Sequence, residues 1–189
     1  MKHGLSRTLA LIGLGLATFA VTPANAQTTG VGPYYATPSW DQTLPANTRF
    51  IVLTNFNSEA VLDRETGLVW QRSPGTTELT WALARSECLS KTIATRKGWR
   101  LPTANEVSSL LDLTVERAPG APIALPAGHP FLGAQKRNYW TSTIVIDDPT
   151  LTWIVNFEFG SLGLGRRVGD PMLEAFAWCV RGPLSADAQ

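Results

Sequence analysis

Histidine, cysteine and methionine are scarce in this 189-residue chain, which holds only two of each. One of the histidines, His3, lies in an N-terminal segment that is expected to be removed. Structural zinc sites take four ligands, mostly cysteine and histidine, so two cysteines and His129 cannot complete one without carboxylates. The sequence therefore predicts neither a metal site nor a cofactor.

The chain also lacks a long apolar run and an excess of positive charge. Sixteen basic and fifteen acidic residues give a formal net charge of +1, whereas nucleic-acid binding by bulk charge needs a clear basic excess. We expect no nucleic-acid partner. The uncharged apolar segment at residues 9–21 is short for a membrane span.

The first 26 residues have the features of a signal peptide. Lys2 and Arg7 precede the apolar segment. Ala24 and Ala26 are small residues at the two positions that signal peptidase recognises before its cleavage site. We predict cleavage after residue 26, no membrane span in the mature chain, and a periplasmic or secreted location. Two cysteines in an exported chain favour a structural disulfide over a reactive thiol.

Composition divides the rest of the chain into three parts. Residues 27–48 are rich in Thr, Pro, Gly and Ala and are expected to form an extended arm or linker. Residues 49–183 are expected to form one domain, which is large enough to bury a hydrophobic core. Residues 184–189 are expected to form a flexible tail.

Two helices are predicted early in the domain. The first covers residues 80–95 and places Trp81, Ala84 and Cys88 on one inward face. The second begins at Thr103, where Thr-Ala-Asn-Glu is a capping box. In that motif the threonine hydroxyl accepts from the glutamate N–H, and the carboxylate reaches back. We interpret the glutamate as a cap rather than as a catalytic acid.

Most strands are predicted to come later. Residues 49–56 and the two sides of a turn at residues 63–67 are expected to be strands, and another begins at residue 139. Alternating side chains at residues 153–159 predict a strand with one buried face, followed by a glycine-rich turn at residues 160–169. Early helices and late strands indicate an α+β fold rather than a parallel βαβ array.

Five segments carry a resemblance to a known family: TGLVWQR from residue 66, TWALARSEC from 80, GWRLPTANE from 98, YWTST from 139 and WCVRG from 178. In this order they resemble a bacterial family of domains that includes the C-terminal domain of a collagen-like adhesin (Lcl) of Legionella. The resemblance covers roughly residues 60–182. It implies a C-type-lectin-like fold, with two helices packed on small antiparallel sheets and long loops. A first-helix cysteine pairs with a last-strand cysteine in that fold, which implies a Cys88–Cys179 disulfide.

The same fold implies other activities that the residues do not support. Formylglycine-generating enzymes share it, but their chemistry uses an additional pair of active-site cysteines. His129 lies in a Gly-His-Pro loop, and the sequence around it does not indicate a nucleophile that it could activate. Sugar-chelating lectins use a Glu-Pro-Asn or Gln-Pro-Asp loop, and neither tripeptide occurs in this chain. We therefore expect no catalytic residues.

Surface recognition is the remaining hypothesis. Basic side chains beside an aromatic ring suit a sulfated or carboxylated polysaccharide, and the resemblance to an adhesin domain points to the same ligands. The predicted function is an exported, non-catalytic, adhesin-like module that binds an anionic glycan. The alternative is a periplasmic module that docks a protein partner through the arm. The predicted ligand-binding residues are Lys136, Arg137, Tyr139, Arg166 and Arg167.

Overall fold

The computed structural model describes residues 29–30, 44–115, 120–168 and 173–182. The elements, in chain order, are β1 (Thr29–Gly30), α1 (Ala46–Arg49), β2 (Phe50–Leu53), a 3-10 turn (Thr54–Phe56), β3 (Ala60–Asp63), β4 (Val69–Gln71), α2 (Trp81–Ser90), α3 (Ala104–Ser108), β5 (Asn138–Ile144), β6 (Leu151–Asn156), β7 (Ser161–Arg166) and β8 (Val180–Arg181). A few helices and two small sheets confirm the predicted α+β class. The predicted signal peptide, the predicted tail at residues 184–189 and most of the predicted arm lie outside the described residues.

The strands form two separate sheets. The first has the order β1-β2-β3-β4-β8, in which β1 runs parallel to β2 and every other neighbouring pair is antiparallel. The second is the antiparallel set β5-β6-β7. An isolated parallel bridge links Tyr139 of β5 to Phe176, which lies just before β8 in the chain. Because β4 pairs with β8, the last strand of the domain completes a sheet that the early strands begin.

The five-stranded sheet is covered on both faces. Trp70 belongs to one core with Val107 of α3, whereas its neighbour Val69 belongs to a second core with Ala84 of α2. Consecutive strand residues point to opposite faces, and all four residues of β3 are buried. The sheet therefore separates two apolar cores.

A disulfide between Cys88 on α2 and Cys179, just before β8, fixes the helix to the strand that closes the sheet. Both cysteines are fully buried, so the predicted pairing and the inward direction of Cys88 are confirmed. The helix ends at Ser90, before the predicted residue 95. Ala94 and Thr95 adopt left-handed backbone angles, φ +46° and +66°, which a helix does not allow.

The GWRLPTANE segment folds as a structural unit. Thr103 caps α3, and Glu106 completes the predicted capping box, with hydrogen bonds of 3.2 Å and 2.8 Å. Arg100 also forms a bidentate ion pair with Glu106. Its two terminal guanidinium nitrogens donate to the two carboxylate oxygens at 2.7 Å and 2.8 Å. Both carboxylate oxygens are thereby engaged, and the predicted role of Glu106 as a cap is confirmed.

The glycine-rich segment after residue 160 is strand β7, so the prediction of a turn there is wrong. A Cβ on Gly165 would lie 2.6 Å from the ring of Trp140 and 2.9 Å from Ile154. Gly163 faces the same isoleucine. The glycines allow the strand to pack closely over a large indole, a use of glycine different from the backbone freedom of a turn.

Arg49 and Asp63 form an ion pair inside the domain. Two hydrogen bonds of 2.9 Å and 2.8 Å join them, and their side chains are 7% and 0% exposed. The guanidinium also donates to the backbone carbonyl of Ser109 at 2.7 Å and lies 3.0 Å from a carboxylate oxygen of Glu65. These partners offset the loss of hydration that burial of a charge entails. The pair connects α1, β3 and the end of α3.

Candidate functional site

The two basic pairs predicted from the sequence lie at opposite ends of the three-stranded sheet. Lys136 and Arg137 directly precede β5, at the end of the sheet where Asn156 lies. Arg166 ends β7 and pairs with Leu151, at the other end of β6. At about 3.3 Å per residue, the two ends are roughly 17 Å apart. The structure therefore does not bring the pairs together into one site.

Tyr139 is a core residue, which contradicts its predicted place on an exposed binding surface. It is 0% exposed, and its ring packs against Phe157, Phe176 and Trp178 with centroids 5.2 to 5.7 Å apart. Its hydroxyl accepts a hydrogen bond from the backbone N–H of Gln135 at 2.7 Å. Burial raises the pKa of this phenol to about 12.

Lys136 and Arg137 are exposed and have local partners. The ammonium group of Lys136 donates to the backbone carbonyl of Ala121. Arg137 lies 3.9 Å from Glu158, in a pair whose side chains are 65% and 43% exposed. Exposed pairs of this kind contribute about 0–1 kcal/mol to stability. With Tyr139 buried, these two basic residues lack the aromatic partner predicted for them.

The structure gathers a different basic cluster around Trp81, the first residue of α2. The guanidinium carbon of Arg167 lies 4.9 Å from the indole centroid, and that of Arg85, one turn further along α2, lies 5.9 Å from it. The indole N–H donates to the backbone carbonyl of Thr141 at 2.8 Å, which orients the ring. We call Trp81, Arg85 and Arg167 the Trp81 cluster.

The electrostatics of the Trp81 cluster favour an anion. Within the described ranges, neither Arg85 nor Arg167 forms an ion pair with a carboxylate, and the buried Nε of Arg167 has no hydrogen-bond partner. The cluster lies at the N-terminal end of α2, where the helix dipole is positive, and Thr80 supplies no side-chain cap. Sequence reasoning missed Arg85, although its four-residue spacing from Trp81 on a helix is a detectable signal.

Arg166 does not belong to this cluster. Because consecutive residues along a strand point to opposite faces, the side chains of Arg166 and Arg167 diverge. Near Arg166, the pKa of Asp148 is held below its usual range by hydrogen bonds from the hydroxyl and backbone N–H of Thr150, at 2.6 Å and 2.9 Å, and by the Arg166 charge. Asp148 thus stabilises the β5–β6 hairpin. Across the described residues, no group of three potential metal-ligating side chains comes together.

A cavity of about 340 Å³ opens beside the ends of β3 and β4 and the loop after α2. Arg72, Lys91 and Glu59 contribute to its lining, and Lys91 is paired with Glu87 at 2.9 Å. The Oε1 atom of Gln71 is buried there without a partner among the described residues. The lining has mixed charge and includes none of the predicted site residues.

His129 is half-buried beside Phe131, with ring centroids 5.9 Å apart. Its Nδ1 atom is buried and has no hydrogen-bond partner in the part of the chain that the structure describes. Burial lowers the pKa of this imidazole below 6.5, because water stabilises the charged form better than the protein interior does. The folded protein therefore resists protonation of His129 more than the unfolded chain does.

We expect His129 to make the protein less stable as the pH falls below 6.5. The unfolded chain then takes up a proton that folded His129 resists, so stability rises with pH across this window. The stability that neutral His129 provides is complete when the pH is above its pKa in the unfolded chain. It is lost as the pH falls to its pKa in the folded protein. Melting temperatures from about pH 8 to about pH 5 should fall less steeply for His129→Gln than for the wild type. Parallel curves would contradict this expectation.

The fold and its buried crosslink define a small α+β domain closed by one disulfide, with two arginines over Trp81 at the start of α2. The model of the Lcl C-terminal domain matches residues 59–181 of this chain, so the chain belongs to the Lcl C-terminal domain family, as its five sequence segments predicted. Comparison with curated proteins and with solved structures gives no significant match.

The disulfide also bears on the cellular compartment. Structural disulfides form and persist mainly in oxidising compartments outside the cytosol, so the Cys88–Cys179 bond fits an exported protein. Within the described residues, no helix has both the length and the hydrophobicity that a membrane crossing requires. The choice between periplasm and secretion stays a prediction.

Proposed function

We propose that this chain is an exported, non-catalytic, adhesin-like domain that binds anionic polysaccharide at the Trp81 cluster. The observation that carries the proposal is the pair of guanidinium groups, from Arg85 and Arg167, held over one indole. Membership of a family named for an adhesin-associated domain supports it. The proposed ligand contact thus shifts away from Lys136 and Arg137, while Arg167 is retained.

The chemistry of the cluster suits sulfate and carboxylate groups. A planar guanidinium donates two parallel hydrogen bonds to either group. Cation–π contacts with Trp81 restrict the side chains of Arg85 and Arg167, so less side-chain freedom is lost when a ligand binds. A polysaccharide carries such groups at repeated intervals, so weak contacts reinforce one another.

Heparin, a sulfated polysaccharide, is the probe for this proposal. We expect saturable binding by the purified, oxidised chain at about 0.15 M salt, weakening as salt rises because the charges are screened. The double substitution Arg85→Gln/Arg167→Gln should weaken binding at least about tenfold, since hydrogen bonds to charged groups contribute about 1.5–3 kcal/mol each. Calorimetric titration measures the change.

Lys136→Gln/Arg137→Gln is the matched control, because it removes the same charge from the opposite end of the sheet. Its affinity should change by less than about threefold, as expected for exposed charges. Equal losses in the two double variants would show that bulk charge, rather than the cluster, attracts the ligand. Failure to bind heparin or a polyuronate would overturn the polysaccharide proposal. Melting curves of both variants separate lost binding from lost folding.

Protein–protein interaction is the alternative function, and one observation favours it. Leu162 and Leu164 are 47% and 50% exposed on β7, which forms an edge of the three-stranded sheet. Exposed apolar side chains on an edge strand are typical of surfaces that pair with another chain. The arm at residues 27–48, predicted to dock a partner, lies mostly outside the described residues.

A further inference from the structure

Within the part of the chain that the structure describes, most backbone hydrogen-bonding groups on the outer edge of β7 have no partner. In an antiparallel pair, residues that bond to the neighbouring strand alternate with residues that do not. The N–H of Arg167 bonds to Thr150 of the β6 side, so the backbone groups of Leu162 and Leu164 point outward. Among the described residues, one backbone hydrogen bond reaches this edge, from the N–H of Leu173 to the carbonyl of Arg166 at 3.1 Å.

The side chains of β7 leave this edge unprotected. Leu162 and Leu164 lie on the same face as half-buried Trp153, while Gly163 and Gly165 occupy the other face. Native proteins commonly protect such edges with charges, prolines or a covering element. The stretch from residue 161 to residue 165 contains neither a charge nor a proline. A partner strand would therefore bury both the leucines and the open backbone groups.

We propose that β7 pairs antiparallel with β7 of a second copy of this chain, about a two-fold axis at Gly163. The sequence Ser-Leu-Gly-Leu-Gly from residue 161 reads nearly the same in both directions about that point. A two-fold contact requires such self-complementarity, because residue i meets residue j while j meets i. In this register Leu162 faces Leu164 of the second copy, and Gly163 faces itself.

The backbone fits the same register. Outward-pointing residues must face one another across an antiparallel pair in order to exchange two hydrogen bonds. Leu162 and Leu164 are both outward-pointing, so each copy satisfies the other's groups. The two three-stranded sheets then become one sheet of six strands, with a cluster of leucines on one face. A slip by one residue would place leucines opposite glycines and break this match.

Charge favours the antiparallel direction. Glu158 lies just before β7, and Arg166 ends it, and both are exposed. Antiparallel pairing brings the acidic end of each strand toward the basic end of the other, whereas parallel pairing would set Arg166 beside its own copy. A second copy therefore complements this edge in shape, backbone pattern and charge.

Sedimentation velocity of the purified, oxidised chain, from about 5 µM to about 500 µM, tests the proposal. One six-residue strand of each copy takes part, so we expect the contact to bury less than the roughly 1,200–2,000 Å² of a stable interface. The sedimentation coefficient should therefore rise toward the dimer value only as concentration increases. Leu164→Lys and Leu162→Pro should abolish that rise. Lysine repels its own copy at the edge, and proline removes an outward N–H without a bond to β6.

Leu89→Lys is the matched control, because Leu89 is 54% exposed on α2, and this variant should dimerise like the wild type. A wild-type chain that stays monomeric throughout the range overturns the proposal, as does dimerisation that persists in both edge variants. Assembly beyond two copies also overturns it, since a two-fold contact closes at two. Arg85→Gln/Arg167→Gln should dimerise normally, so failure of the polysaccharide proposal and failure of this one are distinguishable.

Discussion

Cys88→Ser is expected to lower the free energy of unfolding by about 4–5 kcal/mol, because a crosslink that closes a loop of this length removes that much chain entropy from the unfolded state. The two cysteines are 91 residues apart. An ordinary domain is stable by about 5–15 kcal/mol, so the disulfide supplies much of the margin. Thermal unfolding followed by circular dichroism in non-reducing buffer should show a melting temperature lower by about 10–20 °C.

A reducing agent provides the control for the disulfide. Reduction should lower the melting temperature of the wild-type chain toward that of Cys88→Ser and should leave the variant unchanged. The two chains would then unfold together, because neither retains the crosslink between α2 and the start of β8. Equal melting temperatures in non-reducing buffer would contradict a stabilising role for the bond.

Asp63→Asn is expected to cost about 3–5 kcal/mol, because it leaves the buried guanidinium of Arg49 without its principal counter-charge. Glu65, 3.0 Å from the same guanidinium, offsets part of the loss and favours the lower end of that range. Urea denaturation measures the change. Glu87→Gln is the matched control, since it breaks the more exposed pair with Lys91 and should cost less than about 1 kcal/mol.

The double substitution Arg49→Met/Asp63→Leu separates the ion pair from the packing around it. Replacement of a buried pair by apolar side chains of similar volume is often nearly neutral. The double variant should therefore be more stable than Asp63→Asn. If Asp63→Asn costs no more than Glu87→Gln, the buried pair does not contribute as its geometry indicates.

Local signals predicted the parts of the fold that depend on near neighbours. Thr103 and Glu106 complete their capping box within four residues. Gly67 adopts φ +72° in the turn between β3 and β4, as its place in the predicted turn requires. The disulfide was predictable for a different reason, since Cys88 and Cys179 are the two cysteines of the chain.

Features that depend on distant partners were not predictable from such signals. Ile154 and Val155 belong to two different cores, so both are buried, whereas alternation along the segment predicted one buried face. Tyr139 is the second residue of β5, and nothing in the local sequence indicates that three aromatic rings surround it. The Trp81 cluster joins α2 to the end of β7, two parts of the chain that are far apart in sequence.

The position of the disulfide also sets how far the domain can be stretched. In a chain pulled from both ends, the segment between Cys88 and Cys179 carries no tension, because the covalent bond bypasses it. Extension is then limited to roughly 45 residues, or about 160 Å, against about 470 Å for the uncrosslinked domain. Under mechanical load the outer strands would be drawn out to a fixed limit, while α3 and the three-stranded sheet remain inside the closed loop.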